Sequence, residues 1–297
     1  MNIVITGATG LIGGAVARAL KAQGHGILAL SRSEGAADKA RAQGFDILPG
    51  DLEDTALLRA ATLEADAVIH AASPHDHKAA ELDRRAIHVL LEALRGTGKR
   101  LIYTSGCLVY GETGDRAATE ETPCKPLPMV AWREILEREI RAAQDVHAVI
   151  IRPGWVYGHG GGTAMMMLAQ AQNEGAARVI GTGDNRWSCV HAEDLARLYA
   201  LALTHAPAGS VYNGVNDGPV SLIEIARAAS RAGGAQGRVT LWPLEAARQT
   251  LHGFADAIAC DQVVSGAKAQ VELGWRPVMR TILQEFEMTA WSDRDDA

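Results

Sequence analysis

The sequence has few cysteines, and they are widely scattered. Four cysteines occur among 297 residues, at positions 107, 124, 189 and 260. None belongs to a Cys-x-x-Cys pair or to the Cys and His spacings of a zinc site. We therefore expect neither a disulfide framework nor a bound metal, and the thiols are typical of a protein in a reducing compartment.

The chain also lacks an excess of positive charge and a long apolar run. Lys and Arg number 29 against 35 Asp and Glu, a formal net charge of −6, and no basic run exceeds two residues. Nucleic acid and anionic membranes are therefore poor candidate partners. No apolar run approaches the ~20 residues of a membrane span, and the first residues are typical of a core strand rather than a signal peptide. We expect a cytoplasmic protein.

What the chain does contain is a glycine-rich turn at its start. A β-branched run leads into glycines at positions 7, 10 and 13 and then into an apolar pattern of helical period. Gly7 supplies the backbone angles of a tight turn, Gly10 lets the main chain approach a pyrophosphate, and Gly13 lets the helix pack on the strand. The order of strand, turn and helix predicts a dinucleotide site, with N–H groups at the helix start facing the phosphates.

Strand-like and helix-like segments alternate along the first half of the chain. The predicted strands cover 27–31, 46–49, 66–72, 100–105 and 147–152, and the predicted helices cover 14–23, 36–43, 55–62, 79–96 and 130–143. This alternation predicts an α/β fold with a doubly wound parallel sheet, in which ligands bind at the carboxyl ends of the strands. We divide the chain into a dinucleotide-binding domain, 1–158, and a smaller C-terminal substrate lobe, 159–297, some segments of which return to the main domain.

Short motifs spread over nearly the whole chain reinforce this prediction. They are Thr6–Gly13, Gly50–Leu52, His70–Ala72, Tyr103–Ser105, Val109–Gly111, Arg152–Gly158, Val190–Ala196 and Glu272–Trp275. With these motifs the chain resembles the extended short-chain dehydrogenases/reductases, the group that contains sugar-nucleotide epimerases and dihydroflavonol-type reductases. The resemblance implies a Rossmann fold, a nicotinamide dinucleotide cofactor and a homodimer.

The resemblance also assigns residues to the cofactor. The glycine turn would hold the pyrophosphate, Asp51 and Leu52 would lie against the adenine, and segments 71–73 and 153–155 would line the nicotinamide end. The cofactor-binding residues implied in this way are Gly7, Thr9, Gly10, Leu11, Ile12, Gly13, Asp51, Leu52, Ala71, Ala72, Ser73, Thr104, Arg133, Pro153, Gly154 and Trp155.

The end of the second predicted strand bears on the choice between NAD(H) and NADP(H). An acidic residue there usually binds the ribose 2′-OH of NAD, whereas a 2′-phosphate requires a cation and hydroxyl groups. The chain has Ser31, Arg32 and Ser33 at this point. We therefore predict NADP(H), the alternative being that Arg32 is a solvated loop arginine.

The catalytic positions depart from the pattern of the family. Relatives place a proton-donating Tyr four residues before a Lys that binds the nicotinamide ribose, and the resemblance puts Met129 and Arg133 at these positions. The usual catalytic hydroxyl falls on Gly106. Arg133 can still donate hydrogen bonds to ribose hydroxyls. Its alternative role is an ion pair with Glu137, four residues further along the predicted helix.

A substitute proton donor would have to come from a nearby loop. His75 lies in a His-x-His segment after the fourth strand, and imidazole titrates near neutral pH. Tyr157, with His159 nearby, follows the sixth strand, and Ser105 could bind a substrate oxygen. Each of these has an ordinary alternative, as a solvated loop residue or as a partner of the backbone. We name Arg133, Ser105, Tyr157 and His75 as catalytic candidates without ranking them.

Two further features concern the substrate. Arg186 lies where epimerase relatives bind a diphosphate, with Arg248 as the nearest second cation, although both could be ordinary surface arginines. Trp155, Trp187 and the segment 165–167 suggest an apolar pocket wall, although the methionines also fit a helix core face. We predict an NADP(H)-dependent reductase of a small carbonyl, imine or enone. The alternatives are a non-catalytic NADP(H) sensor and a sugar-nucleotide epimerase or dehydratase.

Overall fold

Strands rich in buried Val, Ile and Leu form the centre of the molecule. The computed structural model describes residues 1–74, 78–216 and 218–295. The strands are β1 (Asn2–Thr6), β2 (Gly26–Ser31), β3 (Asp46–Pro49), β4 (Ala67–His70), β5 (Arg100–Thr104), β6 (His147–Pro153), β7 (Trp155–Tyr157), β8 (Ala177–Ile180), β9 (Arg186–Trp187), β10 (Cys189–His191), β11 (Val211–Gly214), β12 (Val220–Ser221) and β13 (Val239–Trp242).

The helices connect these strands and cover both faces of the main sheet. They are α1 (Leu11–Ala22), α2 (Glu34–Ala42), α3 (Thr55–Glu64), α4 (Ala79–Leu94), α5 (Ala131–Ala142), α6 (Ala164–Glu174), α7 (Ala192–His205), α8 (Leu222–Ala232), α9 (Leu244–Leu251), α10 (Gly253–Ala259), α11 (Ala267–Leu273) and α12 (Ile282–Asp295). Short 3₁₀ helices cover Cys107–Tyr110 and Pro128–Val130. Side chains cap several starts: Ser33 accepts from the Ala36 N–H, and Asp54 accepts from the Leu57 N–H.

The main sheet has seven parallel strands in the order β11, β6, β5, β4, β1, β2, β3. The chain moves outward in one direction from β1 and in the other from β4. A crevice therefore opens between the carboxyl ends of β1 and β4, which is where such sheets bind ligands. The predicted doubly wound α/β fold is confirmed, and each of the five later strands and five helices predicted in the first half is present.

Among the described residues, three large apolar cores and a smaller cluster around Cys107 and Tyr110 hold the structure together. One packs α1 and α7 on one face of the sheet, and another packs α3, α4 and α5 on the opposite face. A third core lies in the C-terminal lobe and contains Trp187, Met167 and residues of α8, α10 and α12. Met165 packs against this core and Met167 is buried in it, which favours the helix-core interpretation of the methionine segment.

Strand pairing connects the C-terminal lobe to the main domain. Residues from Trp155 onward build three two-stranded sheets, β10 with β7, β12 with β9 and β13 with β8, while β11 returns to pair with β6. The boundary at residue 158 stays a prediction. In the part of the chain that the structure describes, no helix combines the length and apolar character that a bilayer crossing demands.

Candidate active site

The glycine turn after β1 is built by close backbone contacts. Gly7 has a φ of +75°, and a Cβ at this position would lie 2.8 Å from the Ala71 oxygen and the Ala72 nitrogen. A Cβ at Gly13 would overlap the Gly7 carbonyl. The Gly10 N–H donates to the Gly7 oxygen at 2.9 Å and closes the turn. Gly7 and Gly13 thus bring together the ends of β1 and β4 and the start of α1.

The start of α1 is suited to an anion. Gly10 is its N-cap and has no side-chain cap, and Thr9 and Gly10 are exposed. A Cβ at Gly10 would approach nothing closer than the Gly7 oxygen at 3.3 Å, so the space outside the turn is open. Free N–H groups and the positive end of the helix dipole favour a phosphate here. Leu11 and Ile12 are half-buried and pack against the first core.

A buried chain of hydrogen bonds stands behind this turn. The Thr6 hydroxyl accepts from the Ala71 and Ala72 N–H groups at 3.2 Å and bonds the His70 Nδ1 at 2.8 Å. His70 Nε2 lies 2.6 Å from Asp83 Oδ1, and the Tyr103 hydroxyl donates to Asp83 Oδ2 at 2.8 Å. Burial, followed by the nearby Asp83 carboxylate, raises the pKa of Tyr103 well above its usual value, so the phenol stays protonated. These hydrogen bonds fix the backbone between the end of β4 and Ser73.

The end of β2 presents an exposed arginine. Ser31 is buried, Ser33 caps α2, and Arg32 is exposed between them. Arg32 forms no ion pair or side-chain hydrogen bond with any residue that the structure describes. Next to this edge, Asp51 accepts from the Glu53 N–H at 2.8 Å and Leu52 is buried.

Arg133 joins the ends of β4 and β5. Its guanidinium donates to the Thr104 carbonyl at 2.8 Å and to the Ser73 hydroxyl at 3.0 Å, and it lies 4.4 Å from the centre of the Trp132 ring. The alternative ion pair with Glu137 is wrong, because both carboxylate oxygens of Glu137 accept from Arg152 at 3.0 Å. Arg133 is therefore held at the carboxyl edge of the sheet.

Met129, Gly106 and Ser105 lie around the same edge. Met129 is 39% exposed. A Cβ at Gly253 would lie 3.4 Å from the Cβ of Met129, so Met129 faces the start of α10. A Cβ at Gly106 would meet nothing closer than the Pro153 oxygen at 3.9 Å. Ser105 is buried, and its hydroxyl has no hydrogen-bond partner among the described residues. Burial raises the pKa of the neighbouring Cys107 thiol, which therefore stays neutral.

Pro153, Gly154 and Trp155 connect β6 to the C-terminal lobe. A Cβ at Gly154 would overlap the Ser188 carbonyl, so only glycine fits. Trp155 stacks on Trp187 with ring centres 4.1 Å apart and lies 6.4 Å from the Phe254 ring. Trp155 therefore forms an apolar wall between the sheet edge and the lobe.

The other predicted proton donors make different contacts. Tyr157 is buried and its hydroxyl donates to the Arg280 carbonyl at 2.6 Å. His159 Nε2 lies 2.6 Å from Glu193 Oε1, at the start of α7. His75 lies outside the described residues. The structure thus brings Arg133, Ser73 and Thr104 together and directs the Tyr157 hydroxyl to the segment before α12.

The two arginines considered for a diphosphate are neutralised by carboxylates. Arg186 donates to Asp261 through Nε at 2.9 Å and through Nη2 at 2.6 Å, and its Nη1 lies 2.9 Å from Asp115. Arg248 donates to Asp256 at 2.6 Å and also contacts Glu245. Ion pairs of this kind leave little unbalanced positive charge for a diphosphate.

Replacing Asp261 with asparagine is expected to destabilise the protein at neutral pH and to matter less in acid. Hydrogen bonding to the Arg186 guanidinium holds the pKa of Asp261 below its usual value. The carboxylate therefore stabilises the fold above its unfolded-state pKa, and this contribution is lost as the pH falls through the folded pKa. Urea unfolding should show a loss of about 1 kcal/mol at pH 7 that shrinks towards pH ~3.

Asp115→Asn is the matched control for this measurement. Asp115 contacts the same arginine, but its side chain is 98% exposed, so its removal should change little at either pH. A deficit of the Asp261→Asn variant that persists or grows in acid would contradict the assignment.

Sequence reasoning missed a buried ion pair beneath the site. Arg152 is 3% exposed and Glu137 is 2% exposed. The Arg152 guanidinium on β6 donates to the Glu137 carboxylate on α5. Arg152 also donates to the Tyr110 hydroxyl at 2.7 Å, and Tyr110 donates to Asn213 at 2.8 Å. A charged residue closing the apolar run 147–152 was the signal that could have indicated a buried partner.

Within the residues described, no group of three or more His, Cys, Asp and Glu side chains is arranged to hold a metal ion. The four cysteines are free. The candidate site combines a glycine turn, the exposed Arg32, the Arg133 guanidinium at the sheet edge and an apolar wall.

Comparison with known proteins identifies the family. The model of the NAD dependent epimerase/dehydratase family matches residues 3–214. The chain belongs to this family. It is 35% identical over 301 residues to an uncharacterised protein of Schizosaccharomyces pombe, covering 98% of this chain and 100% of that protein. It is also 28% identical to 2-alkyl-3-oxoalkanoate reductase of Stenotrophomonas maltophilia, over 76% of this chain and 73% of that protein.

A solved structure confirms the family fold. The dTDP-glucose 4,6-dehydratase of Bacillus anthracis, in complex with NAD, superposes with a TM-score of 0.84 at 18% identity, covering 100% of this chain and 97% of that one. This family, together with relatives that carry reductase names, places the protein among the NAD(P)-dependent oxidoreductases.

Proposed function

We propose that the protein is an NADP(H)-dependent reductase of a small, neutral organic molecule with a carbonyl, imine or conjugated C=C group. The observation that carries this proposal is the composition of the site beside Arg133. Met129, Trp155 and Phe254 supply apolar surface there, and the arginines considered for a diphosphate are paired with carboxylates. A neutral substrate suits this environment, because an uncompensated charge would be costly against apolar walls.

The chain's residues fit the cofactor that the family name implies. The turn from Gly7 to Gly13 would hold the pyrophosphate, Ser31, Arg32 and Ser33 the 2′-phosphate, and Asp51 and Leu52 the adenine side. Segments 71–73 and 153–155, with Thr104, would lie at the nicotinamide end. When bound, the reduced nicotinamide supplies the hydride.

Arg133 would orient the ribose of this cofactor in place of a lysine. A guanidinium carries five N–H donors, and Arg133 directs one each to Thr104 and Ser73. Its remaining donors are available to ribose hydroxyls. Because the guanidinium is planar and already fixed at two points, it loses little freedom on binding.

The proton donor is the least conventional part of the proposal. Met129 would stand at the position of the family's tyrosine and cannot transfer a proton. Reduction of an imine or a conjugated C=C leaves no alkoxide on the carbon that receives hydride, so it suits a site without a phenol. Ser105 would bind substrate, and His75 stays a candidate acid. Tyr157 is already bonded to Arg280, which argues against that role.

Replacing Arg32 with aspartate is expected to reverse the nucleotide preference. A charge-assisted hydrogen bond contributes roughly 1.5–3 kcal/mol, so its loss should weaken NADPH binding about 10- to 100-fold while NADH binding is retained or improved. Calorimetric titration with both nucleotides measures this. Arg95→Asp makes the same charge change before the amino end of β5 and serves as the control; unchanged NADPH affinity in Arg32→Asp would rule out the assignment.

Turnover tests the reaction itself. The protein is titrated with NADPH, NADP⁺, NADH and NAD⁺, and consumption of reduced nicotinamide is followed with panels of ketones, imines, enones and nucleotide sugars. Turnover of ketones but not of imines or enones would eliminate the hypothesis that the enzyme reduces an imine or a conjugated C=C without a phenol as proton donor. NADPH binding without any turnover would favour a non-catalytic sensor, and conversion of a nucleotide sugar would favour the epimerase alternative. The homodimer stays a prediction.

A further inference from the structure

Two buried hydrogen-bond donors at the candidate site have no partner in the part of the chain that the structure describes. Among the described residues, the buried side-chain atoms that lack a partner are Ser105 Oγ, Trp155 Nε1, Arg197 Nε and Ser230 Oγ. Ser105 follows β5 and Trp155 follows β6, so both lie at the carboxyl edge of the sheet. Leaving such a group buried without a partner costs about 1–3 kcal/mol. A group retained at this cost needs an explanation.

The backbone brings these two residues close to each other. The Ser105 N–H donates to the Ile151 carbonyl at 2.8 Å. A Cβ at Gly106 would lie 3.9 Å from the Pro153 oxygen. The segment that contains Ser105 therefore runs beside residues 151–153, and Trp155 is two residues further along the sequence.

The stacked partner of Trp155 provides an internal comparison. Trp187 lies 4.1 Å from Trp155, is fully buried and donates its indole N–H to the Ile258 carbonyl at 3.0 Å. The described residues therefore satisfy the indole N–H of Trp187 and provide no partner for that of Trp155. The difference lies in position, because Trp187 belongs to the lobe core whereas Trp155 forms the wall beside Phe254.

We infer that the Trp155 indole N–H and the Ser105 hydroxyl bind the oxygen of a neutral carbonyl substrate whose apolar body rests against Trp155, Phe254 and Met129. This inference rests on the proposed reductase function and narrows its substrate class. An indole N–H only donates, so it recognises an acceptor oxygen and disfavours an iminium cation. Trp155 is thus a specificity-determining residue, and ketones and enones are the substrates that the site selects.

Binding of an isosteric pair tests the inference without turnover. Acetophenone and α-methylstyrene have nearly the same shape, but only acetophenone carries an acceptor oxygen. Their affinities for the full-length protein saturated with NADP⁺ are measured by saturation-transfer NMR titration. We expect the wild type to prefer acetophenone at least about fivefold, and Trp155→Phe and Ser105→Ala to lose most of that preference.

A stability measurement separates recognition from a structural role. Trp155→Phe removes an N–H that has no partner among the residues described and keeps an aromatic ring, so its urea midpoint should stay at or near that of the wild type. Trp187→Phe removes an N–H bonded to Ile258 and should lower the midpoint while keeping the acetophenone preference.

Absence of the preference in the wild type, or its retention in both Trp155→Phe and Ser105→Ala, would overturn the inference. Because the NMR measurement needs no reaction, a failure of turnover alone would count against the reductase proposal and not against the oxygen site.

Discussion

Glu137→Ala is expected to lower the free energy of unfolding by about 3–5 kcal/mol, because it leaves the buried Arg152 guanidinium without its counter-charge. Arg152 and Glu137 are almost fully buried, and both Glu137 oxygens accept hydrogen bonds from Arg152. In the wild type, burial by itself lowers the pKa of Arg152, but the hydrogen bonds and the charge of Glu137 outweigh it and leave the pKa raised. Without Glu137 the guanidinium still keeps its charge, because arginine is not deprotonated in proteins. The variant therefore keeps a buried positive charge without its counter-charge.

The loss should extend along the hydrogen bonds that Arg152 makes. Arg152 fixes the Tyr110 hydroxyl, and Tyr110 in turn bonds Asn213 on β11. Urea unfolding of the wild type and the variant gives the effect as a shift in midpoint at constant slope. Weakening should appear in the pairing of β11 with β6 first, which amide hydrogen exchange can locate.

Two further variants act as controls. Glu134 lies on the same helix and pairs with the exposed Arg138, so Glu134→Ala should cost less than about 1 kcal/mol. The double change Glu137→Leu with Arg152→Met replaces the pair by apolar side chains and should recover much of the stability. Equal midpoints for Glu137→Ala and Glu134→Ala would show that the buried pair is not a major stabilising element.

Gly13→Ala is expected to damage both stability and nucleotide binding. The new Cβ would overlap the Gly7 carbonyl, which is backbone and cannot rotate away. Overpacking of this kind costs about 1–3 kcal/mol. Moving the start of α1 away from the turn would also remove N–H groups from the phosphates, and the loss of two charge-assisted bonds should weaken NADPH binding about 100-fold or more.

Gly35→Ala is the matched comparison for Gly13→Ala. A Cβ at Gly35 would have nothing within 4 Å, and the residue lies in α2. Alanine should stabilise that helix by up to about 1 kcal/mol and leave NADPH affinity unchanged. Calorimetry and urea unfolding on both variants give the two readouts, and wild-type NADPH affinity in Gly13→Ala would contradict the proposed role of the turn.

The parts of the structure that the sequence predicted correctly are those set by local patterns. Alternating apolar periods predicted the strands and helices of the first half, and the Gly7 to Gly13 spacing predicted the turn that joins β1 to α1. Each of these depends on residues close together in the chain. The resemblance put Arg133 at the position of the family's lysine, and its role at the cofactor stays a prediction.

The parts that could not be predicted depend on partners far apart in the sequence. Arg186 meets Asp261, 75 residues away, and Trp155 meets Phe254 across the two lobes. The Glu137 carboxylate had a nearby arginine at helical spacing and a distant one on β6, and burial decided in favour of the distant one. Local spacing carries no information about that choice.

The return of β11 to the main sheet has a consequence for the newly made chain on the ribosome. Strand β6 is complete at Pro153, but its neighbour β11 begins only at Val211, after α6 and α7 have been made. Until then β6, whose side chains are almost all buried in the finished protein, presents an open hydrogen-bonding edge. While the residues between Pro153 and Val211 are being synthesised, β6 of one nascent chain is therefore most prone to pair with a strand of another chain instead of with its own β11.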